Sequence, residues 1–132
     1  MFRFRFSFRS AAALRVLWLI YWVGMAAAMH MPVPERMHLP VAGGDKILHC
    51  LMYFLLTMLG ARVLMLRGGL TNRRLAMWGA VYLAYAALDE TLQPLTGRSA
   101  SVNDWLADAT GIVLASSILS TQTARSDNME GS

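Results

Sequence analysis

The chain has 132 residues, enough for one domain and too few for a separate catalytic module beside a membrane part. It is 56% hydrophobic and only 15% charged, whereas a soluble domain carries about a quarter charged residues, so lipid is the expected surrounding. The net charge of +4 does not call for a nucleic-acid partner, because the basic residues flank apolar runs and membrane topology accounts for them. A single cysteine, Cys50, excludes an internal disulfide.

Four apolar stretches, 11–29, 47–66, 75–92 and 102–120, contain 19, 20, 18 and 19 residues. Each is close to the roughly 20 that cross a hydrocarbon core of about 30 Å. The expected fold is an all-α integral membrane bundle of about four transmembrane helices forming a single domain over 1–120. The second stretch is too uniformly apolar for a soluble four-helix bundle. Breaks between the stretches carry Pro32, Pro34, Pro40, Gly43, Gly44, Gly68, Gly69, Pro94 and Gly97, the residues that end helices. The first stretch also has the basic start and small-residue end (Ala26, Ala27, Ala28) of a signal peptide, but it exceeds the usual apolar core of about 7 to 15 residues, and an uncleaved helix is expected. Residues 121–132 are polar, lack apolar periodicity and are expected to be disordered.

Orientation follows from Lys and Arg. With the N-terminus inside, nine bases (Arg3, Arg5, Arg9, Arg15, Arg62, Arg67, Arg73, Arg74, Arg125) lie inside and three (Arg36, Lys46, Arg98) outside. That bias places both termini in the cytoplasm. It also gathers the informative polar residues at one depth near the outer face. The second span begins there with Asp45, Lys46, His49 and Tyr53, the third ends there with Asp89, Glu90 and Gln93, and the fourth begins there with Asp104 and Asp108. Within each helix the spacings of three and four residues put these side chains on a shared face.

Several of these residues have structural readings. Asp45 can cap the second helix, and Ser101 with Asp104 has the outline of a capping box. His49 and Tyr53 can be interfacial residues, while Lys46 and Arg98 can neutralise acids. Asp89 and Glu90 sit near a helix C-terminus, against the dipole, and need a positive partner. Asp108 lies too deep to cap, and an acid inside a membrane helix costs about 2.5 kcal/mol or more unless it faces a polar interior. Ala107, Gly111 and Ala115 form a small-residue ladder on the same helix, which suits close packing of the third and fourth spans as an antiparallel hairpin against the second. Arg98, carried by the short Pro94 and Gly97 turn, is expected within ion-pair reach of Glu90 or Asp104. The cluster holds more acids than bases, so protons, a charged His49, water or a cation must balance it. His with Asp and Glu is a donor set for a divalent metal, yet no short spacing of a known metal motif is present, and no metal or cofactor is assigned.

Asp45-Lys46 followed by His49 and Tyr53, then Glu90 with Gln93, then Gly97-Arg98, then Asp104, Asp108 and Gly111, resembles the VanZ-like membrane proteins. The resemblance runs from about Asp45 to Ala115, more than half the chain. It implies a small multi-span protein of the bacterial cell envelope, in the cytoplasmic membrane, in a family named for a member associated with low-level resistance to the glycopeptide teicoplanin. Most such proteins have no assigned activity. One departure changes the chemistry, since Asp108 stands where Asn is common; Ala115 stands where glycine is common but keeps the small size.

The leading expectation is an outer-face polar pocket formed by Asp45, Lys46, His49, Tyr53, Glu90, Gln93, Arg98, Asp104 and Asp108. Its partners would be membrane lipids, a lipid-linked cell-wall precursor or a glycopeptide. Lys46 and Arg98 would meet phosphate or carboxylate, and the acids and Tyr53 would take hydroxyl or ammonium donors. The alternatives are a membrane-embedded hydrolase or transferase acting on a lipid-linked phosphate, a purely structural ion-pair network, and an ion-coupled transporter.

Overall fold

The computed structural model describes residues 8–31, 43–67 and 69–130, the side chains of 8–10 and 124–130 excepted. Arg3, Arg5, Pro32, Pro34, Arg36, Pro40 and Gly68 lie outside the described residues. Among the described residues the architecture is all-helical: α1 (Phe8–His30), α2 (Gly44–Met65), α3 (Asn72–Leu92) and α4 (Val102–Glu130), with a 3₁₀ turn, Gln93–Thr96, after α3. Among the described residues there is no strand.

Local chemistry accounts for the helix ends. Thr71 caps α3, its hydroxyl accepting from the Arg74 N–H at 3.2 Å, and Ser101 caps α4 in the same way, accepting from the Asp104 N–H at 3.3 Å. Beyond α3, Pro94 sits in the first turn of the 3₁₀ segment, and Gly97 ends it with φ 80°, a left-handed conformation that glycine adopts without strain. One expectation is corrected here. The helical backbone of α4 continues to Glu130, so 121–130 extends the helix and is not a disordered tail. This stretch has no Gly or Pro, and Ala124, Met129 and Glu130 are good helix formers.

The helices alternate in direction. His49 meets Asp108 and Lys46 meets Asp104, so α2 and α4 run parallel. Thr123 at the far part of α4 meets Asn72 at the start of α3, so those two are antiparallel. The closest pair is α2 with α4, followed by α3 with α4, while α2 and α3 touch little. The expected tight hairpin of α3 and α4 is therefore only the second contact of α4. Gly111 is the reason, since its bare Cα lets α4 settle directly on the backbone of α2 at Cys50 and Phe54. Along α4 the buried residues Asp104, Asp108, Gly111, Ile112, Ala115 and Leu119 form one stripe of helical period.

Helix α1 joins chiefly through aromatic rings. Trp18 and Trp22 lie with ring centroids 5.8 Å from Trp78 and 5.4 Å from Tyr82 respectively, both edge-on, the arrangement their quadrupoles favour. Ala11–His30 and Gly44–Met65 are each long and apolar enough to cross a membrane. Helices α3 and α4 carry acids, Asp89, Glu90, Asp104 and Asp108, which lower their hydropathy although all four are buried. The outer surface of the bundle is lined on every helix by large apolar side chains, among them Ile20, Val23, Leu51, Val81 and Val113.

Candidate functional site

The polar ends of α2, α3 and α4 converge. At the outside, Lys46 Nζ donates to Asp104 Oδ1 at 2.9 Å, and the Arg98 guanidinium lies 3.9 Å from Asp45 Oδ1 while donating to the Met29 carbonyl at 2.7 Å. Asp45 and Lys46 are exposed, so these two make a solvent-facing rim, and pairs of that kind contribute about 0 to 1 kcal/mol each. The hydrogen bond from Arg98 to Met29 is of another kind, because a charged donor on a carbonyl contributes about 1.5 to 3 kcal/mol and ties the α3–α4 connection to the end of α1.

Beneath the rim lies a closed polar floor. His49 Nδ1 is 3.0 Å from Asp108 Oδ1, with both side chains almost entirely buried. Glu90 accepts from Gln93 Nε2 at 3.0 Å through one oxygen and from the backbone N–H of Ser101 at 2.8 Å through the other. Asp89 lies 3.5 Å from His30 and within reach of the Tyr85 hydroxyl. Four buried polar atoms in this region have no hydrogen-bond partner among the described residues: Tyr53 Oη, Asp89 Oδ2, Gln93 Oε1 and Asp108 Oδ2. Compared with known proteins, the chain matches no family model, no curated protein and no solved structure. The site is therefore read from its own geometry.

All nine residues expected in the outer site meet at one end of the bundle, as a rim above a buried floor. Two cavities among the described residues lie away from it. One of about 390 Å³ is an apolar groove between α3 and α4, and one of about 170 Å³ lies between α1, α2 and α3 near Arg15 and Tyr82.

Three pairings differ from expectation. Arg98 does not pair with Glu90 or Asp104, since Lys46 holds Asp104, and Glu90 is engaged by Gln93 and Ser101. The capping box is split between helices: Ser101 caps the Asp104 N–H, but the acid that answers the Ser101 N–H is Glu90 of α3, which leaves the Asp104 carboxylate free for Lys46. Asp45 makes no cap, because α2 begins beyond Gly43 with no side-chain capping bond. Sequence reasoning also missed His30. Its signal was its place immediately after the first apolar stretch, at the same end as Asp89.

Proposed function

We propose that this chain is a VanZ-like protein of the bacterial cytoplasmic membrane with four transmembrane helices, both termini in the cytoplasm and α1 retained as an anchor. The apolar side chains exposed on all four helices support the membrane placement, since a soluble bundle would have polar faces there. Met25 and Met29 of α1 are buried in the core, which supports an uncleaved first helix. Labelling of single cysteines on a Cys50→Ala background is expected to reach Ser99→Cys from outside intact cells and Asn72→Cys only after permeabilisation. The reverse pattern would invert the site to the cytoplasmic side.

The function proposed is binding, at the outer membrane face, of a lipid headgroup, a lipid-linked cell-wall precursor or a glycopeptide, with teicoplanin-type resistance as the phenotype the resemblance suggests. The observation that carries this reading is the exposed rim. Lys46 uses one of its three donors on Asp104, and Arg98 keeps guanidinium donors beyond those on Met29 and Asp45, so both retain capacity for an anionic oxygen. Asp45 beside them suits an ammonium or hydroxyl donor. Purified protein should be stabilised against heat by anionic phospholipid, an undecaprenyl-linked precursor or teicoplanin, and Lys46→Ala with Arg98→Ala should abolish the shift. A wild-type protein indifferent to all three would refute the binding reading.

One observation favours an enzymatic alternative, a hydrolase or transferase on a lipid-linked phosphate: the buried His49–Asp108 pair has the arrangement of an oriented general base. No hydroxyl or thiol is hydrogen-bonded to His49 among the described residues, so water would be the nucleophile. Release of phosphate from a lipid-linked substrate, lost in His49→Ala, would establish turnover.

A further inference from the structure

We propose that His49, Glu90 and Asp108 bind a divalent first-row cation, Zn²⁺ or Mn²⁺, in the polar floor of the bundle. This goes beyond the ligand reading above and stands without it, because a cation can occupy the floor whether or not a headgroup meets the rim. One donor atom from each of the three side chains lies within 4.8 Å of the other two, and all three residues are buried. The separation between His49 Nδ1 and Asp108 Oδ1, 3.0 Å, is the edge of an octahedral coordination shell with bonds of about 2.0 to 2.2 Å, and a tetrahedral ion would need the two atoms to part by only a few tenths of an ångström.

Charge selects this trio. A second triad, Asp45, His49 and Asp104, has comparable spacing, but Asp45 is exposed with Arg98 beside it and Asp104 is held by Lys46. Glu90 and Asp108 have no Lys or Arg partner among the described ion pairs. Two carboxylates with a neutral imidazole carry the charge that one dication cancels, and buried carboxylates left unbalanced are expensive.

The unpartnered atoms supply an independent pointer. Asp108 Oδ2 and Gln93 Oε1 are fully buried and accept from no group in the described structure. Gln93 is held against Glu90 by its own amide N–H, so its carbonyl oxygen is at the trio's edge. Tyr53, one helical turn from His49, is also buried with its hydroxyl unpaired. Buried acceptors without donors are what a cation satisfies. An imidazole among oxygens favours Zn²⁺ over Mg²⁺ or Ca²⁺, and the two carboxylates also admit Mn²⁺.

The test uses the full chain in a non-ionic, phosphate-free detergent, stripped with chelator and equilibrated separately with Zn²⁺ and Mn²⁺. One ion per chain should survive desalting, and Glu90→Gln and Asp108→Asn should each weaken binding at least about tenfold, while Thr91→Ala leaves it unchanged. Bound Mn²⁺ should give a nitrogen coupling in its pulsed electron paramagnetic resonance spectrum that His49→Gln removes and His30→Gln does not. The proposal fails if no ion is retained, if both carboxylate variants bind like wild type, or if the wild-type spectrum lacks nitrogen coupling. The spectrum of the wild type decides the question should a variant not fold. Because no lipid is present, failure here leaves the headgroup reading to its own assay, and indifference to lipids leaves metal binding to this one.

Discussion

Gly111→Ala is expected to destabilise the protein by about 3 kcal/mol, the upper end of the usual cost of forcing one extra carbon into a packed core. The added Cβ would overlap the Cys50 carbonyl oxygen and come within 2.9 Å of the Phe54 nitrogen and 3.0 Å of the Cys50 carbonyl carbon. These are main-chain atoms inside α2, and they cannot rotate away as a side chain would. The helices must separate instead. Gly79→Ala is the matched control on α3, where the nearest atoms, from Ile112 and Ser116, are 3.9 Å from the added carbon, an ordinary contact. There alanine should be neutral or stabilising by up to about 1 kcal/mol, the difference in helix propensity. Unfolding in mild detergent distinguishes the two, and a Gly111→Ala protein as stable as wild type would mean that α2 and α4 do not meet at this point. Gly111 lies less than one turn beyond Asp108, so the same change should shift Asp108 against His49 and Asp104 against Lys46. Ligand binding should fall together with stability.

Asp108→Ala is expected to cost about 3 to 5 kcal/mol, the penalty for removing one member of a buried polar pair. His49, itself almost entirely buried, would lose its 3.0 Å partner. Asp108→Asn keeps the shape and one acceptor oxygen, so its cost should be closer to the 1 kcal/mol or so of an ordinary hydrogen bond. The decisive measurement is a double-mutant cycle. In a His49→Ala background the penalty of Asp108→Ala should shrink by about 1 to 3 kcal/mol, the coupling typical of residues in contact. An unchanged penalty would mean that Asp108 is held by something other than His49. The contrast between Ala and Asn also separates stability from chemistry, since Asn preserves the packing but removes the carboxylate.

Helix content was legible in the sequence because it depends on local properties. Apolar runs of membrane-crossing length, Pro94 and the glycines that interrupt them announced four helices, and the described residues form four α-helices. Where the chain ran past Ser120 the reading failed, because polarity was taken for disorder although the residues from Thr121 to Glu130 contain no helix breaker. Asp108 was picked out as inward-facing for a physical reason, the cost of an acid against an apolar medium, and it is fully buried.

By itself, the sequence determined which residues gather at one end of the bundle. Alternating helices joined by short connections bring the start of α2, the end of α3 and the start of α4 to the same level, whatever their side chains do. Only the tertiary structure decided who meets whom. Helix rotation and axial register set those contacts, and both follow from the close seating of Gly111 on the backbone of α2. That seating puts Lys46 on Asp104 and His49 on Asp108, leaves Arg98 to the Met29 carbonyl and Asp45, and gives the Ser101 N–H to Glu90. The donor trio of His49, Glu90 and Asp108 comes from three different helices, so no spacing along the chain could have announced it. Ligand sets within a helix follow from its period, whereas sets across helices depend on packing.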